Sequence, residues 1–351
     1  MTRKYEVGLV GCGSIATERH IPALQANPRV SLSTVYDHHW PNAEKAAEDH
    51  DILNVYDDYE SFLASDLDLV TISTPPFTHA EYTAGALETG TNVLCEKPMA
   101  VELEDAENMI SAAEESSGEL GIVHNFLYSR SVRKARQLVQ DGEFGDIRYV
   151  KGVQFSSPRR DLPSWYTDLP GGLFFDESPH LLYLIEAFIG GLDVVNATVQ
   201  ESEGSGQPLE SVTATFEGVE ERQGQLSMIF DAPLSEWFFV ICGTERLAVV
   251  DIFRDIIVHV GQEKGHSPLE VLQTAISGMG QFGAGIVKSG VHMLQGNLFF
   301  GFETLLDQYL NSIESSASAP VTPEQGYKIL QGSHSVLGEI EYSYAENEFS
   351  R

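Results

Sequence analysis

Three sets of residues in this chain have the types and spacing to do chemistry. Gly11-Cys12-Gly13-Ser14-Ile15-Ala16 follows a short apolar run and opens a helical pattern. Gly11 permits a tight turn, and Gly13 lets backbone approach a pyrophosphate at the helix N-terminus, beside Ser14 and Ile15. Ala16 takes the place of a third glycine where helix meets strand. Asp37 lies 26 residues past Gly11, near the spacing of about 20 for an acid that accepts hydrogen bonds from ribose hydroxyls. A carboxylate there repels a 2′-phosphate and favours NAD, while His38, His39 and Lys45 keep NADP open. S-adenosylmethionine sites use the same two features. A plain Gly-rich turn and a strand-end Asp are the blander alternatives.

Glu96-Lys97-Pro98 comes directly after a strand pattern, where ligands of open α/β sheets bind. Pro98 fixes the chain direction, and its peptide bond is a candidate for the cis form. Gly171-Gly172-Leu173-Phe174-Phe175-Asp176-Glu177-Ser178-Pro179-His180 leads into an apolar helical run. Ser178 as N-cap and Pro179 as first helical residue make a good helix start. Asp176 and His180 then share a helix mouth, where a carboxylate orients an imidazole or both face one substrate. The blander alternatives are a solvated Lys, a capping Asp and a core His.

The elements that position these residues alternate through the first third of the chain. Strand patterns at 5–10, 32–36, 54–56, 67–73, 92–95 and 120–124 alternate with helical patterns after Gly13 and at 42–49, 78–89 and 102–116. Short connections between them predict a parallel, doubly wound sheet. After a helix at 129–141 the pattern changes. Runs at 147–155, 194–200, 212–216, 225–230, 238–242 and 247–253 predict a mostly antiparallel sheet, interrupted by a helix at 179–190. Residues 311–320 read as a polar loop and 323–341 as a final helix that packs on either domain. The fold class is therefore α/β with a second, α+β domain. The domains fall at 1–124 and 125–340.

Composition excludes several partners. Lys plus Arg is 21 against 52 Asp plus Glu, a net charge of −31. Nucleic acid and anionic membrane both need positive charge. The acids are dispersed, as in Glu44, Glu48, Asp49 and Asp51, and Lys is scarce, eight against thirteen Arg. That points to a halophilic protein, since at 1 M salt the Debye length is ~3 Å and self-repulsion is screened. Cys12, Cys95 and Cys242 are dispersed, which fits a reducing, cytoplasmic setting and no metal site. The start, Thr2-Arg3-Lys4 and a short apolar run into a Gly-rich turn, does not read as a secretory leader. The Gly278–Phe302 stretch is too interrupted, at Gln281, Lys288, His292 and Gln295, to span a membrane.

Together, Gly11-x-Gly13-x-x-Ala16, Glu96-Lys97-Pro98 and Asp176-x-x-x-His180 resemble the Gfo/Idh/MocA oxidoreductases. Ile21-Pro22-Ala23-Leu24, Ser73-Thr74-Pro75-Pro76-Phe77-Thr78-His79 and Asp141-Gly142-Glu143-Phe144-Gly145-Asp146-Ile147 also match. The resemblance runs to about residue 340. It implies a Rossmann domain followed by a domain with a large open sheet, and a homo-dimer or homo-tetramer. It implies Lys97, Asp176 and His180 as catalytic positions, Thr74, Pro75 and His79 as cofactor-lining positions, and Glu96, with Lys97, near the nicotinamide. Gly-Gly instead of a triple Gly before Asp176, and Ser178-Pro179 before the His, depart from the family pattern near the substrate.

The implied activity is hydride transfer between NAD, or NADP, and a hydroxyl carbon of a sugar, polyol or derivative. His180 is the expected base, with an unperturbed pKa of about 6.5. Lys97 would stabilise charge on the reacting oxygen and keep the imidazole neutral. Asn125, Arg159, Arg160, Asp161, Trp165 and Tyr166 are substrate-side candidates, since rings stack on sugars and arginines hold carboxylate or phosphate. A redox-assisted lyase or glycosidase that recycles its NAD shares all these residues. A non-catalytic dinucleotide sensor would not need Lys97, Asp176 and His180.

Overall fold

The computed structural model describes residues 4–201, 209–263, 265, 267–294 and 300–349. Thr2, Arg3 and Gln295 lie outside the described residues. The chain forms two compact units, one of residues 1–125 and 302–330, the other of 126–301 and 331–351.

The first unit runs β1 (Tyr5–Val10), one π-helical turn (Ala16–His20), α1 (Ile21–Ala26), β2 (Val30–Tyr36), α2 (Trp40–His50), β3 (Asn54–Tyr56), α3 (Tyr59–Leu63), β4 (Leu69–Ile72), α4 (His79–Glu88), β5 (Asn92–Cys95), α5 (Leu103–Glu115) and β6 (Leu120–Ile122). The six strands are parallel in the order β3-β2-β1-β4-β5-β6. The central strands are continuous apolar runs because both faces are covered: Leu69, Val70, Ile72, Val93, Leu94 and Cys95 are fully buried. The strand order reverses between β1 and β4, the usual ligand crevice of such sheets. Gly11, Asp37, Ser73 and Glu96 each follow the carboxyl end of a strand. The five-residue α3, too short to show a period, was not expected from the sequence. Its cap is Asp58, whose carboxylate accepts the Ser61 N–H at 2.8 Å.

The second unit begins with α6 (Arg130–Gln140), β7 (Ile147–Phe155), α7 (Leu173–Ile189), β8 (Asp193–Glu201), β9 (Leu209–Glu217), β10 (Gln223–Ile229), β11 (Glu236–Gly243), β12 (Arg246–Asp251), β13 (Ile256–Gly261) and α8 (Pro268–Leu294). Its seven strands lie in the order β13-β12-β11-β7-β10-β9-β8, antiparallel except for the β7–β10 pair. β13 was not read from the sequence. α7 lies close against this sheet: a Cβ at Gly152 would sit 2.9 Å from Leu181, and one at Gly224 would sit 2.6 Å from Ile185.

Three expectations are revised. α7 starts at Leu173, not Pro179, and Pro179 lies inside it. Burying Leu173, Phe174 and Phe175 carries the helix back past the Ser-Pro pair. Ser178 thus lies within the helix, its Oγ 3.1 Å from Ser333 Oγ, and the N-cap position falls to Gly172. Residues 311–315, expected in a loop, belong to α9 (Phe302–Ser315). Leu305, Leu306, Tyr309 and Leu310 recur at helical spacing and are buried. Tyr309 Oη reaches Val93 O at 2.8 Å and Glu119 O at 2.5 Å, tying α9 to the parallel sheet. The sequence division begins the second domain at residue 125 and leaves the final helix open to either domain; by contacts, residues 302–330 group with the first unit. The last helix, α10 (Pro323–Phe349), contains the division at Leu330. No helix among the described residues is long and apolar enough to cross a membrane.

Candidate active site

The Gly-rich turn is shaped by what crowds it on one side and what does not on the other. Gly11 has φ +88°, and a Cβ there would sit 2.7 Å from Thr74 Cγ2 and 2.9 Å from Thr74 N. A Cβ at Gly13 would meet nothing within 4 Å. Gly13, Ser14 and Ile15 are exposed at the start of a helical segment, whose first N–H groups lack intrahelical acceptors. Asp37 is 6% exposed. Its Oδ2 accepts the Cys12 N–H and its Oδ1 the His39 N–H, each at 2.9 Å. Each oxygen keeps a lone pair for a ribose hydroxyl. These residues fit a dinucleotide. Burial, then the Asp37 charge, pushes the Cys12 thiol up to about 12, so it stays protonated.

Beyond the end of β5 lies a buried ionisable cluster. Glu96 Oε1 is 2.8 Å from His20 Nε2, and its Oε2 accepts the Lys97 N–H at 3.0 Å. Burial alone would raise the Glu96 pKa. The His20 hydrogen bond and charge, with Lys97, hold it below the usual range, so it is a carboxylate. The Lys97–Pro98 bond is cis, and the Lys97 side chain is half-buried. His79 is fully buried, its Nδ1 2.9 Å from Pro98 O and its Nε2 2.8 Å from Thr74 O. Only an imidazolium would satisfy both carbonyls, but burial lowers its pKa. His79 thus braces the segments after β4 and β5, while Thr74 and Pro75 are partly exposed. Burial also pushes His124 down to about 3, against the opposing charge of Glu96.

In the second unit, Asp176 and His180 lie four residues apart within one helix, hence on one face. The His180 ring stacks on Phe126 at 4.3 Å, and Trp237 meets it edge-on at 5.5 Å. His180 Nδ1 is 2.7 Å from Tyr183 Oη, which also accepts the Phe126 N–H at 3.1 Å. Next to Asp176, the buried Glu177 accepts from Gln154 Nε2, from Ser156 Oγ at 3.4 Å and from Arg160 Nη1 at 2.7 Å.

The remaining substrate-side candidates are spread over loops. Asn125 opens a 3-10 turn after β6 and is counted with the first unit. Arg159 is exposed, and Trp165 and Tyr166 are partly buried in the 3-10 turn Ser164–Asp168. Sequence reasoning missed His20, Tyr183, Glu177 and Gln154. Only Tyr183 had a local signal, three residues past His180 on a helical pattern. Among the described residues no group of three or more His, Cys, Asp or Glu could hold a metal ion.

Comparison with known proteins identifies the family. The family profile described as "Oxidoreductase family, NAD-binding Rossmann fold" (GFO_IDH_MocA) matches residues 5–124. The "GFO/IDH/MocA C-terminal domain" profile matches residues 132–249. A 1-carboxy-3-chloro-3,4-dihydroxycyclohexa-1,5-diene dehydrogenase of Comamonas testosteroni is 30% identical over 53% of this chain and 47% of its own. A dTDP-3,4-didehydro-2,6-dideoxy-alpha-D-glucose 3-reductase of Streptomyces violaceoruber is 30% identical over 54% of this chain and 55% of its own. The chain thus spans about half the length of these curated relatives. Among solved structures, the WlbA dehydrogenase from Bordetella pertussis in complex with NADH and UDP-GlcNAcA superposes with TM-score 0.79 at 19% identity, covering 97% of both chains. An oxidoreductase from Thermotoga maritima superposes with TM-score 0.76 at 20% identity, covering 95% of this chain and 96% of its own. At such identities the structures speak for the fold alone. Two profiles of one family, N-terminal then C-terminal, account for most of the chain, which belongs to the Gfo/Idh/MocA oxidoreductase family, with an NAD-binding Rossmann domain at its N-terminal end.

Proposed function

We propose that the chain is an NAD(P)-dependent oxidoreductase acting on a hydroxyl carbon of a sugar, polyol or sugar derivative, with NAD preferred. The observation that carries this reading is the setting of Lys97. It follows β5, and the buried carboxylate of Glu96 fixes its backbone N–H. Ligands of parallel sheets bind outside such strand ends.

When bound, nicotinamide supplies the hydride acceptor for oxidation, or the donor for reduction. The residues do the rest. Lys97 donates to the reacting oxygen and offsets its growing negative charge. His180 takes the hydroxyl proton on Nε2 as the carbon gives up its hydride. That role needs the Nδ1–H tautomer, with Tyr183 Oη as its acceptor. Asp176 orients His180 or takes a neighbouring hydroxyl. Asp37 accepts from the ribose and disfavours a 2′-phosphate. The exposed acids of α2, including Glu44, Glu48 and Asp49, support operation in molar salt.

The test is reduced-nicotinamide absorbance in molar KCl, with NAD or NADP, against pentoses, hexoses, inositols and uronic acids. The Lys97→Ala variant runs alongside. Turnover that vanishes in the variant supports the reading. Silence across the panel with dinucleotide binding intact moves the weight to a recycling lyase or a sensor.

A further inference from the structure

The loop between β7 and α7 holds a guanidinium with one end used and one edge unmet. Arg160 Nη1 donates to Glu177 Oε1 at 2.7 Å. Its Nε and Nη2 are shut off from solvent and have no partner among the described residues. In a guanidinium these two nitrogens form the side-on fork, whose parallel N–H groups match the two oxygens of a carboxylate. Leaving a charged fork unmet and out of water costs more than an ordinary hydrogen bond returns. The group is also well anchored. Glu177, its ion-pair partner, is 8% exposed and held by Gln154 and Ser156.

This fork is near the proposed base. Glu177 and His180 are three residues apart in α7, which places their Cβ atoms about 5–6 Å apart on one face. At roughly 100° per residue, His180 lies between Asp176 and Glu177 around the helix. That Cβ spacing is on the scale of one monosaccharide ring. Arg159 and Asp161, on either side of Arg160, are exposed.

We propose that Arg160 binds a carboxylate of the substrate, so that the substrate class is a sugar acid, aldonic or uronic, and not a neutral sugar or polyol. This deepens the oxidoreductase reading above and rests on it. Carboxylate fits better than phosphate. Glu177 already neutralises the guanidinium, and a dianion beside it would meet like charge in a chain of net charge −31.

The experiment uses the full chain with NAD and matched ligands: glucose and glucuronate, xylose and xylonate, and glucose 6-phosphate. Turnover is measured as kcat/KM, and binding by calorimetry on NAD-loaded protein, for wild type, Arg160→Gln and Arg160→Lys. Wild type is expected to prefer the acid by about tenfold or more, the scale of a charge-assisted fork. Arg160→Gln should bring that ratio towards one, chiefly through KM. Arg160→Lys keeps the charge but not the fork and should restore little. Equal use of neutral and acid partners, preference for the phosphate, or a ratio unmoved by Arg160→Gln overturns the proposal; ordered water then meets the fork. The wild-type ratio decides even if the variants fail to fold. Arg160-dependent acid binding without nicotinamide reduction would uphold the carboxylate site and sink the dehydrogenase reading. Turnover without acid preference would do the reverse.

Discussion

The two units hold their reactive groups by different means. Around Lys97 the fastening is mostly to backbone. Asp37 takes the N–H groups of Cys12 and His39, Glu96 takes the N–H of Lys97, and His79 reaches the carbonyls of Thr74 and Pro98. Around His180 it is mostly side chain on side chain: Tyr183, Phe126 and Trp237 on the imidazole, and Gln154 and Arg160 on Glu177. Backbone fastening survives truncation of the side chain it presents. The sharpest test is therefore Lys97→Ala. Its kcat should fall about 10²–10⁴-fold, while NAD affinity by fluorescence titration holds, because Glu96 still grips the residue-97 N–H. An equal loss of affinity would make Lys97 a cofactor anchor and erase the contrast.

Asp37 tests the same contrast from the other side, because here the side chain itself does the fastening. Asp37→Ser removes the brace on Cys12 and the ribose acceptor together. NAD affinity should drop about 10–100-fold, the cost of hydrogen bonds to a charged group. NADP should weaken less, since repulsion of its 2′-phosphate goes too. The readout is the ratio of the two dissociation constants; an unchanged ratio removes Asp37 as the selector.

Backbone fastening was also the part legible in the sequence. Gly11, Asp37 and Glu96-Lys97-Pro98 each follow a strand end, so alternation of strand and helix was enough to place them. The second unit was harder for a physical reason. Ser178-Pro179 is locally a better helix start than Gly172-Leu173. Yet fully burying Leu173, Phe174 and Phe175 is worth about 1.5–3 kcal/mol each, which outweighs the ~3 kcal/mol of an interior Pro. Gln154 and Glu177 meet across 23 residues, and His20 and Glu96 across 76, with no local pattern to announce them.

The Lys97 side also carries a cost of burial that a change of pH can read. His124 is buried with its pKa pushed down to about 3, against about 6.5 in an unfolded chain. Above pH 6.5 both states are neutral there and stability is full. As pH falls towards 3, only the unfolded state takes up the proton, and stability is lost. At pH 5 the loss is about 2 kcal/mol, or roughly 30-fold in the folding equilibrium. His79, also lowered, adds in the same direction. Urea unfolding of His124→Asn should therefore show a smaller loss between pH 7 and pH 5 than wild type. Equal losses would mean that His124 is already solvated in the folded state.

The smallest expected effect belongs to the side-chain-held imidazole. Tyr183→Phe deletes one hydroxyl. The ring that meets Phe126 and His180 edge-on remains, so the melting temperature should move little. His180 Nδ1, however, loses the acceptor that selects the Nδ1–H tautomer, the form whose Nε2 carries the basic lone pair. A neutral hydrogen bond is worth about 1 kcal/mol, so kcat should fall about fivefold with NAD affinity unchanged. The acid limb of its pH profile should shift to lower pH, because an acceptor for the charged ring is gone. A loss confined to thermal stability would make Tyr183 packing alone, and would leave Asp176 as the group that orients the base.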